Sequence, residues 1–177
     1  NFVDMKRPTG LHWNRQGQPE LRLWAPTSLR VELLLFDDAE GGTPQTIALA
    51  EDGLGFWSLT GESSWKNKYY LYRVTRFNPR VERVETVEST DPASLSLSAG
   101  GLRSQIVQLD DPALMPPGWQ SLSKPHLANV TDSVIYEMHV RDYTMADMNL
   151  PADERGTFSG LVHPKSQAYA HLKELAA

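Results

Sequence analysis

Gly and Pro residues divide the first half of the chain into short apolar and aromatic segments, and this feature limits the possible folds more than any other. β-Branched and aromatic residues are densest at 69–77, which predicts a strand. Asn78 and Pro79 then form a turn signal before a second segment of the same kind. The predicted strands are 21–24, 29–36, 46–50, 56–60, 69–77 and 81–88. Short strands at this spacing predict an antiparallel, immunoglobulin-like β-sandwich.

Composition changes along the chain and divides it into four parts. Residues 1–20 are polar and rich in turn residues, and predict a loose lead-in. The predicted sandwich occupies 21–109, with one more strand expected at 106–109. Several Pro residues in 110–132 predict a semi-rigid linker. Residues 133–177 form the last part.

The segment 133–143 predicts a strand with one polar face. Its two faces are Val134, Tyr136, Met138 and Val140 on one side, and Ile135, Glu137, His139 and Arg141 on the other. Buried charges need partners, so this strand suits a barrel in which later strands supply them. A loop at 146–165 and a helix at 167–177, capped by Ser166, follow. We therefore predict a mainly β chain, in which the sandwich precedes the first β/α unit of a truncated (β/α)8 barrel.

Several motifs occur in a fixed order along the chain. They are Leu23-Trp24-Ala25-Pro26, Gly55-Phe56-Trp57-Ser58, Tyr69-Tyr70-Leu71-Tyr72-Arg73-Val74, Thr90-Asp91-Pro92 and Tyr136-Glu137-Met138-His139-Val140-Arg141-Asp142-Tyr143. This series resembles pullulanases and limit dextrinases, which are debranching enzymes of the α-amylase superfamily (glycoside hydrolase family 13). The resemblance implies a carbohydrate-binding module of family 48, followed by the start of the catalytic barrel, in a piece of a longer protein.

The resemblance also implies an activity for the intact enzyme. That activity is hydrolysis of α-1,6-glucosidic linkages in pullulan, amylopectin and limit dextrins by two carboxylates, with retention. In the family the catalytic acids follow the fourth, fifth and seventh barrel strands, which 133–177 does not contain. No catalytic residue is therefore assigned, and these 177 residues alone are expected to be inactive. The implied partners are an α-glucan and the remaining catalytic barrel.

Charged residues on the predicted strand at 133–143 have two interpretations. Glu137, His139, Arg141 and Asp142 are close enough in sequence to form an acid–base cluster. Alternatively, they form a structural ion-pair network within a barrel, and the position of the family's acids on other strands favours this second interpretation.

The aromatic residues also have two interpretations. Trp57, Trp65, Tyr69 and Tyr70 can form a flat platform on which glucose rings stack, and Trp57 and Trp65 are the candidate substrate-binding residues. Aromatic residues in a small sandwich are also common core residues, so both roles remain open. Trp24 is assigned to the core or to packing between domains.

Composition excludes several classes of function. The net charge is −5, from 17 basic and 22 acidic residues without long runs, which argues against nucleic-acid binding. No Cys is present, no phosphate-binding glycine loop occurs, and no apolar stretch is long enough to span a membrane. We therefore expect no cofactor, no metal and no membrane partner. The sequence does not indicate a compartment, since plastid, cytoplasmic and cell-envelope or extracellular members are all expected.

Two other functions fit the same observations. One is a non-catalytic α-glucan-binding module that targets or regulates a partner. The other is the front end of an isoamylase or a branching enzyme, which has the same architecture.

Overall fold

A computed structural model of the chain describes residues 8–124 and 126–176. These residues form two units, one that ends at Trp119 and one that begins at Gln120. The first unit contains nine strands, and every pairing between them is antiparallel. The strands are β1 (Gly10–Trp13), β2 (Pro19–Trp24), β3 (Ser28–Phe36), β4 (Gln45–Ala48), β5 (Ala50–Glu51), β6 (Phe56–Thr60), β7 (Tyr69–Asn78), β8 (Arg83–Ser89) and β9 (Ser104–Gln105). The prediction of a mainly β, antiparallel fold is confirmed.

The strands form two sheets with a common core. Sheet A has the order β1-β2-β6-β5, and sheet B has the order β4-β3-β7-β8. The short strand β9 pairs with Tyr69 and Tyr70 at the start of β7. The core contains Leu11, Leu21, Leu23 and Trp57 from sheet A, Val31, Leu33, Leu35, Tyr70 and Tyr72 from sheet B, and Leu49, Trp65 and Ile106 from the connections.

Strand β2 shows how the sequence separates the two faces of sheet A. Leu21 and Leu23 alternate with polar residues, and both are buried in the core. Glu20, Arg22 and Trp24 occupy the alternate positions, so they lie on the outer face of sheet A. This face is the one on which the candidate site is found.

Trp65 closes the core from a 3₁₀ turn between β6 and β7. Its ring lies directly over Gly61, where an added Cβ would be 2.2 Å from Cε3 of the indole. Any side chain at position 61 would therefore displace Trp65 from the core. A second indole, that of Trp13, donates from Nε1 to the Val107 carbonyl oxygen at 3.2 Å. This bond holds the segment after β9 against sheet A.

The structure differs from the predicted strands at both ends of the sandwich. Residues 10–13 form β1, which pairs with β2 and contributes Leu11 to the core, so the predicted lead-in is wrong there. Residues 1–7 of that lead-in lie outside the described residues. The strand expected at 106–109 is found at 104–105 instead, where it pairs with β7. Ile106 is buried beside it without being part of a strand.

The described residues of the second unit contain three α-helices, α1 (Val140–Thr144), α2 (Phe158–Val162) and α3 (Gln167–Leu175). The helix predicted after Ser166 is confirmed as α3, and the Ser166 hydroxyl accepts from the Tyr169 amide at 3.2 Å. Asp147 accepts from the Gln167 amide at 2.8 Å, and this hydrogen bond lowers the pKa of the Asp147 carboxyl. Ala177, at the end of the predicted helix, lies outside the described residues. None of the helices in 8–124 and 126–176 has the length and hydrophobicity that a membrane span needs.

The polar-faced strand expected at 133–143 does not form. Residues 133–139 have no regular secondary structure, and 140–144 form helix α1. Val134 and Ile135 are 95% and 90% exposed. A strand needs a neighbour for its backbone N–H and C=O groups, and the described chain has no strand after β9 to provide one. The loop expected at 146–165 also differs, because α2 lies within it.

Candidate functional site

A groove of about 300 Å³ lies on the outer face of sheet A. It is lined by Pro8, His12, Glu20, Leu21, Arg22, Ser58, Leu59 and Thr60. Strand pairing places the polar side chains of this lining in two rows across β1, β2 and β6. In the first row Glu20 lies between His12 and Thr60, and in the second row Arg22 lies opposite Ser58. Adjacent strands are about 5 Å apart, so neighbours within a row can contact one ligand together.

Most polar side chains of this groove have no partner among the described residues. In residues 8–124 and 126–176, no hydrogen bond or ion pair involves the side chains of Glu20, Arg22, Ser58 or Thr60. His12 makes one such contact, from Nε2 to the Thr9 carbonyl oxygen at 3.0 Å. The groove therefore presents a carboxylate acceptor, a guanidinium donor and two hydroxyls whose hydrogen-bonding capacity is available to a ligand.

Trp24 extends the same face beyond the groove. It is two residues from Arg22 on β2, and its side chain is 42% exposed. Its neighbour on β6, Phe56, is buried with 1% exposure. A strand rises about 3.3 Å per residue, so Trp24 and Glu20 are roughly 13 Å apart along β2. An indole offers an apolar surface for stacking, and the groove offers hydrogen-bonding groups.

The part of the chain that forms this face matches a known protein family. Residues 8–94 match the model described as carbohydrate-binding module 48 (isoamylase N-terminal domain). The segment 8–94 belongs to this family. It contains β1 to β8, and therefore both the groove and Trp24.

The whole chain is similar to pullulanases. It is 34% identical to pullulanase 1 of Arabidopsis thaliana over 170 residues, which are 95% of this chain and 18% of the relative. It is 36% identical to the pullulanase of Klebsiella aerogenes over 160 residues, which are 88% of this chain and 15% of the relative. A solved maltotriose complex of the Klebsiella pneumoniae pullulanase PulA matches 97% of this chain and 19% of its own, with a TM-score of 0.85 and 34% identity. The chain thus spans less than a fifth of these proteins.

The two predicted substrate-binding residues are buried in the core of the family 48 module. Trp57 and Trp65 are each 7% exposed and belong to the hydrophobic core. Trp57 lies opposite Leu23 on the inner face of sheet A, and its Nε1 donates to the Ala25 carbonyl oxygen at 3.1 Å. The prediction that Trp57 presents an exposed stacking face is therefore wrong. The structure favours the alternative role of both indoles as core residues.

Trp24 is a candidate site residue that was not predicted from the sequence. Its assignment to the core is wrong, because the side chain is 42% exposed. Its assignment to packing between domains stays a prediction. The alternation in β2 was the available signal, since buried Leu21 and Leu23 direct residues 20, 22 and 24 outward together.

The charged residues of 133–143 do not form a cluster. Glu137, His139, Arg141 and Asp142 are all exposed. Among these four residues, His139 Nδ1 lies 4.0 Å from Asp142 Oδ2. The expected ion-pair network is absent from the described residues. Glu137, His139 and Arg141 do not share a strand face, because the predicted strand does not form.

Proposed function

We propose that this chain is part of an α-glucan debranching hydrolase, and that its family 48 module binds α-glucan on the outer face of sheet A. The proposed reaction of the whole enzyme is hydrolysis of α-1,6-glucosidic linkages in pullulan, amylopectin and limit dextrins. Similarity to pullulanases along 95% of the chain supports this proposal. The observation that carries the binding site is the exposed Trp24 beside a groove in which Glu20, Arg22, Ser58 and Thr60 have no side-chain partner among the described residues.

The groove fits a neutral sugar in its chemistry. A hydroxyl can donate to Glu20 and accept from Arg22, while the apolar side of a sugar ring can stack on Trp24. The site is open, so it buries only part of a ligand, and we expect weak binding. The ligand has no charge, so we expect its affinity to depend little on salt concentration.

In the whole enzyme we assign residues 133–177 to the first strand, loop and helix of the catalytic barrel, after a linker at 110–132. The exposed Val134 and Ile135 support this assignment, because a strand at this position needs neighbours that the described residues do not supply. The two carboxylates of the hydrolysis would come from other barrel strands.

We expect these 177 residues alone to release no reducing ends from pullulan, because the chain contains no assigned nucleophile or acid. Without them the barrier to hydrolysis stays many kcal/mol too high for detectable turnover. A reducing-sugar assay against a sample without protein tests this. Release that is lost on mutating Glu137 or Asp142 would contradict the proposal, since it would place the catalytic acids within this chain.

Trp24→Ala should weaken binding of β-cyclodextrin at least about tenfold, because it removes the stacking surface, and tenfold corresponds to about 1.4 kcal/mol. Calorimetric titration is the suitable measurement, since it does not need an indole as reporter. Trp119→Ala is the matched control, because Trp119 is also exposed, at 56%, and lies outside sheet A. Both variants should melt like the wild type. Unchanged binding by Trp24→Ala would show that the ligand binds elsewhere.

A further inference from the structure

We propose that strand β8 binds a second copy of this chain, and that the two β8 strands pair antiparallel so that sheet B continues from one molecule into the other. The proposal does not depend on glucan binding, because it concerns the other sheet of the module. It rests on the exposure of β8 and on the order of its charged and apolar residues.

Strand β8 is the longest strand at a sheet edge. It has seven residues, whereas β1, β4 and β5 at the other edges have four, four and two. It pairs with β7 on one side, and no strand among the described residues pairs with its other side. Six of its seven residues are exposed. An edge strand directs half of its backbone N–H and C=O groups away from its own sheet, so β8 offers these groups to another strand.

An exposed apolar pair lies at the same edge. Phe77 on β7 and Val84 on β8 are direct partners, and they are 50% and 56% exposed. Tyr72 and Val74 of β7 face the core, so Phe77 and Val84 lie on the outer face of sheet B. Pairing of a second copy along β8 would place two more apolar side chains beside this pair.

The charges of β8 attract a second copy when Val84 lies opposite Val84. Arg83 and Glu85 lie on either side of Val84 and share the opposite face, where Arg83 Nη2 is 3.0 Å from Glu85 Oε1. In this register each Arg83 lies opposite the Glu85 of the other copy, so four charges of alternating sign come together. On the outer face, Phe77 and Val84 of both copies form one apolar row.

Other registers are disfavoured, which is the usual effect of charged residues on an edge strand. A two-fold axis places the same residue of both copies at the centre of the pairing. A centre at Arg83 or Glu85 brings like charges opposite each other. A centre at Thr86 or Val87 brings no opposite charges together. The sequence of β8 therefore favours the register centred on Val84.

The backbone at Glu82 limits the size of this contact. Its φ of +51° is left-handed and ends the extended conformation just before Arg83. Regular pairing therefore covers Arg83 to Glu85 of each copy, with the apolar row beside it. A contact of this size is well below that of a permanent dimer, so we expect a Kd on the order of 0.1–1 mM.

A single introduced cysteine reports the register, because the chain contains no Cys. Val84→Cys brings two thiols together at the two-fold axis, within the Cα separation of roughly 7 Å that a disulfide allows. Thr86→Cys is the matched control, since its two copies would lie four residues out of register, roughly 13 Å apart along the strands. Mild oxidation of the concentrated 177-residue chain should give a covalent dimer of Val84→Cys and little of Thr86→Cys on a non-reducing gel.

Charge variants test the pairing without a covalent bond. Arg83→Glu and Glu85→Arg should each weaken association at least about tenfold, because like charges then lie opposite each other twice. An equal mixture of the two variants should associate, since every opposed pair is again one acid and one base. Glu40→Arg is the matched control, because Glu40 is exposed and lies outside β8. Small-angle X-ray scattering up to about 1 mM measures the dimer fraction in this range of Kd.

Each result supports or overturns the proposal. Dimers of the wild type, of Glu40→Arg and of the mixture, with neither charge variant associating alone, support it. A wild type that stays monomeric at about 1 mM would show that β8 does not bind a second copy. If the wild type associates but Val84→Cys forms no more disulfide than Thr86→Cys, or if both charge variants associate alone as strongly as the wild type, the contact lies elsewhere and the proposal is wrong.

Discussion

Trp57→Ala should lower the free energy of unfolding of the sandwich by about 3–5 kcal/mol, the usual cost of truncating a buried indole. The side chain is 7% exposed and packs among core residues of both sheets. Its removal leaves a cavity, and it also leaves the Ala25 carbonyl oxygen without the indole donor at 3.1 Å. Urea denaturation of the chain, followed by far-ultraviolet circular dichroism, measures the change.

Two further variants show which property of Trp57 matters. Trp57→Phe keeps an aromatic ring and loses the N–H donor, so it should cost less than Trp57→Ala. Trp24→Ala is the matched control, because Trp24 is an indole on the adjacent strand with 42% exposure, and its loss should change stability by about 0.5 kcal/mol or less. A Trp57→Ala variant as stable as the wild type would show that the indole does not support the core.

Local sequence pattern predicted most strands of the sandwich. The strands expected at 21–24, 29–36, 56–60 and 69–77 correspond to β2, β3, β6 and β7 within one or two residues. The signal for these strands is local, since β-branched, aromatic and alternating residues favour a half-buried strand whichever strand pairs with it. Turn residues such as Asn78 then fix where each strand ends.

Residues whose structure depends on distant partners were not predictable in this way. Strand β1 has only four residues, and it is a strand because β2 pairs with it. Residues 133–139 show the converse, because the pattern favours a strand and the described chain provides no neighbour for it. A period-two pattern indicates which residues share a face, but pairing decides whether the strand forms.

The candidate site was only partly predictable for the same reason. The sequence indicated that exposed indoles are the relevant chemistry, but it did not show which indoles are exposed. Trp57 and Trp24 both lie near Gly or Pro at a strand end, and burial against sheet B distinguishes them. The groove also depends on long-range pairing, since His12, Glu20 and Thr60 come from three strands and meet only in sheet A.

Asp91 provides a second large effect on stability, and its role also depends on distant residues. The side chain is buried, with the residue 3% exposed. Its Oδ2 accepts from the hydroxyl of Tyr70 at 2.8 Å and from that of Tyr72 at 3.4 Å. Its Oδ1 accepts from the Ala93 amide at 2.8 Å, and its own amide donates to the Ser104 hydroxyl at 2.9 Å. One carboxylate thus connects strand β7 to the segment that leads to β9.

The tyrosines of this network predict how stability changes at high pH. Burial first, and the Asp91 carboxylate second, raise the pKa of the Tyr70 hydroxyl above its ordinary value, and the same two causes raise the pKa of Tyr72. A raised folded-state pKa stabilises the protein fully below the unfolded value of about 10, and this contribution is lost as pH rises above it. Alkaline unfolding should therefore begin above about pH 10.

Asp91→Ala should lower the free energy of unfolding by about 2–6 kcal/mol, because it leaves two buried hydroxyls without an acceptor at roughly 1–3 kcal/mol each. Asp37→Ala is the matched control, since Asp37 pairs with Lys68 at 2.7 Å but its side chain is 80% exposed, and its loss should cost about 1 kcal/mol or less.

Urea denaturation of Asp91→Ala, Tyr70→Phe and the double variant gives the coupling between the two residues. If the hydroxyl is unsatisfied in Asp91→Ala, then adding Tyr70→Phe should cost less in that background than in the wild type. Additive effects would contradict the coupling, and a stable Asp91→Ala variant would show that water replaces the carboxylate.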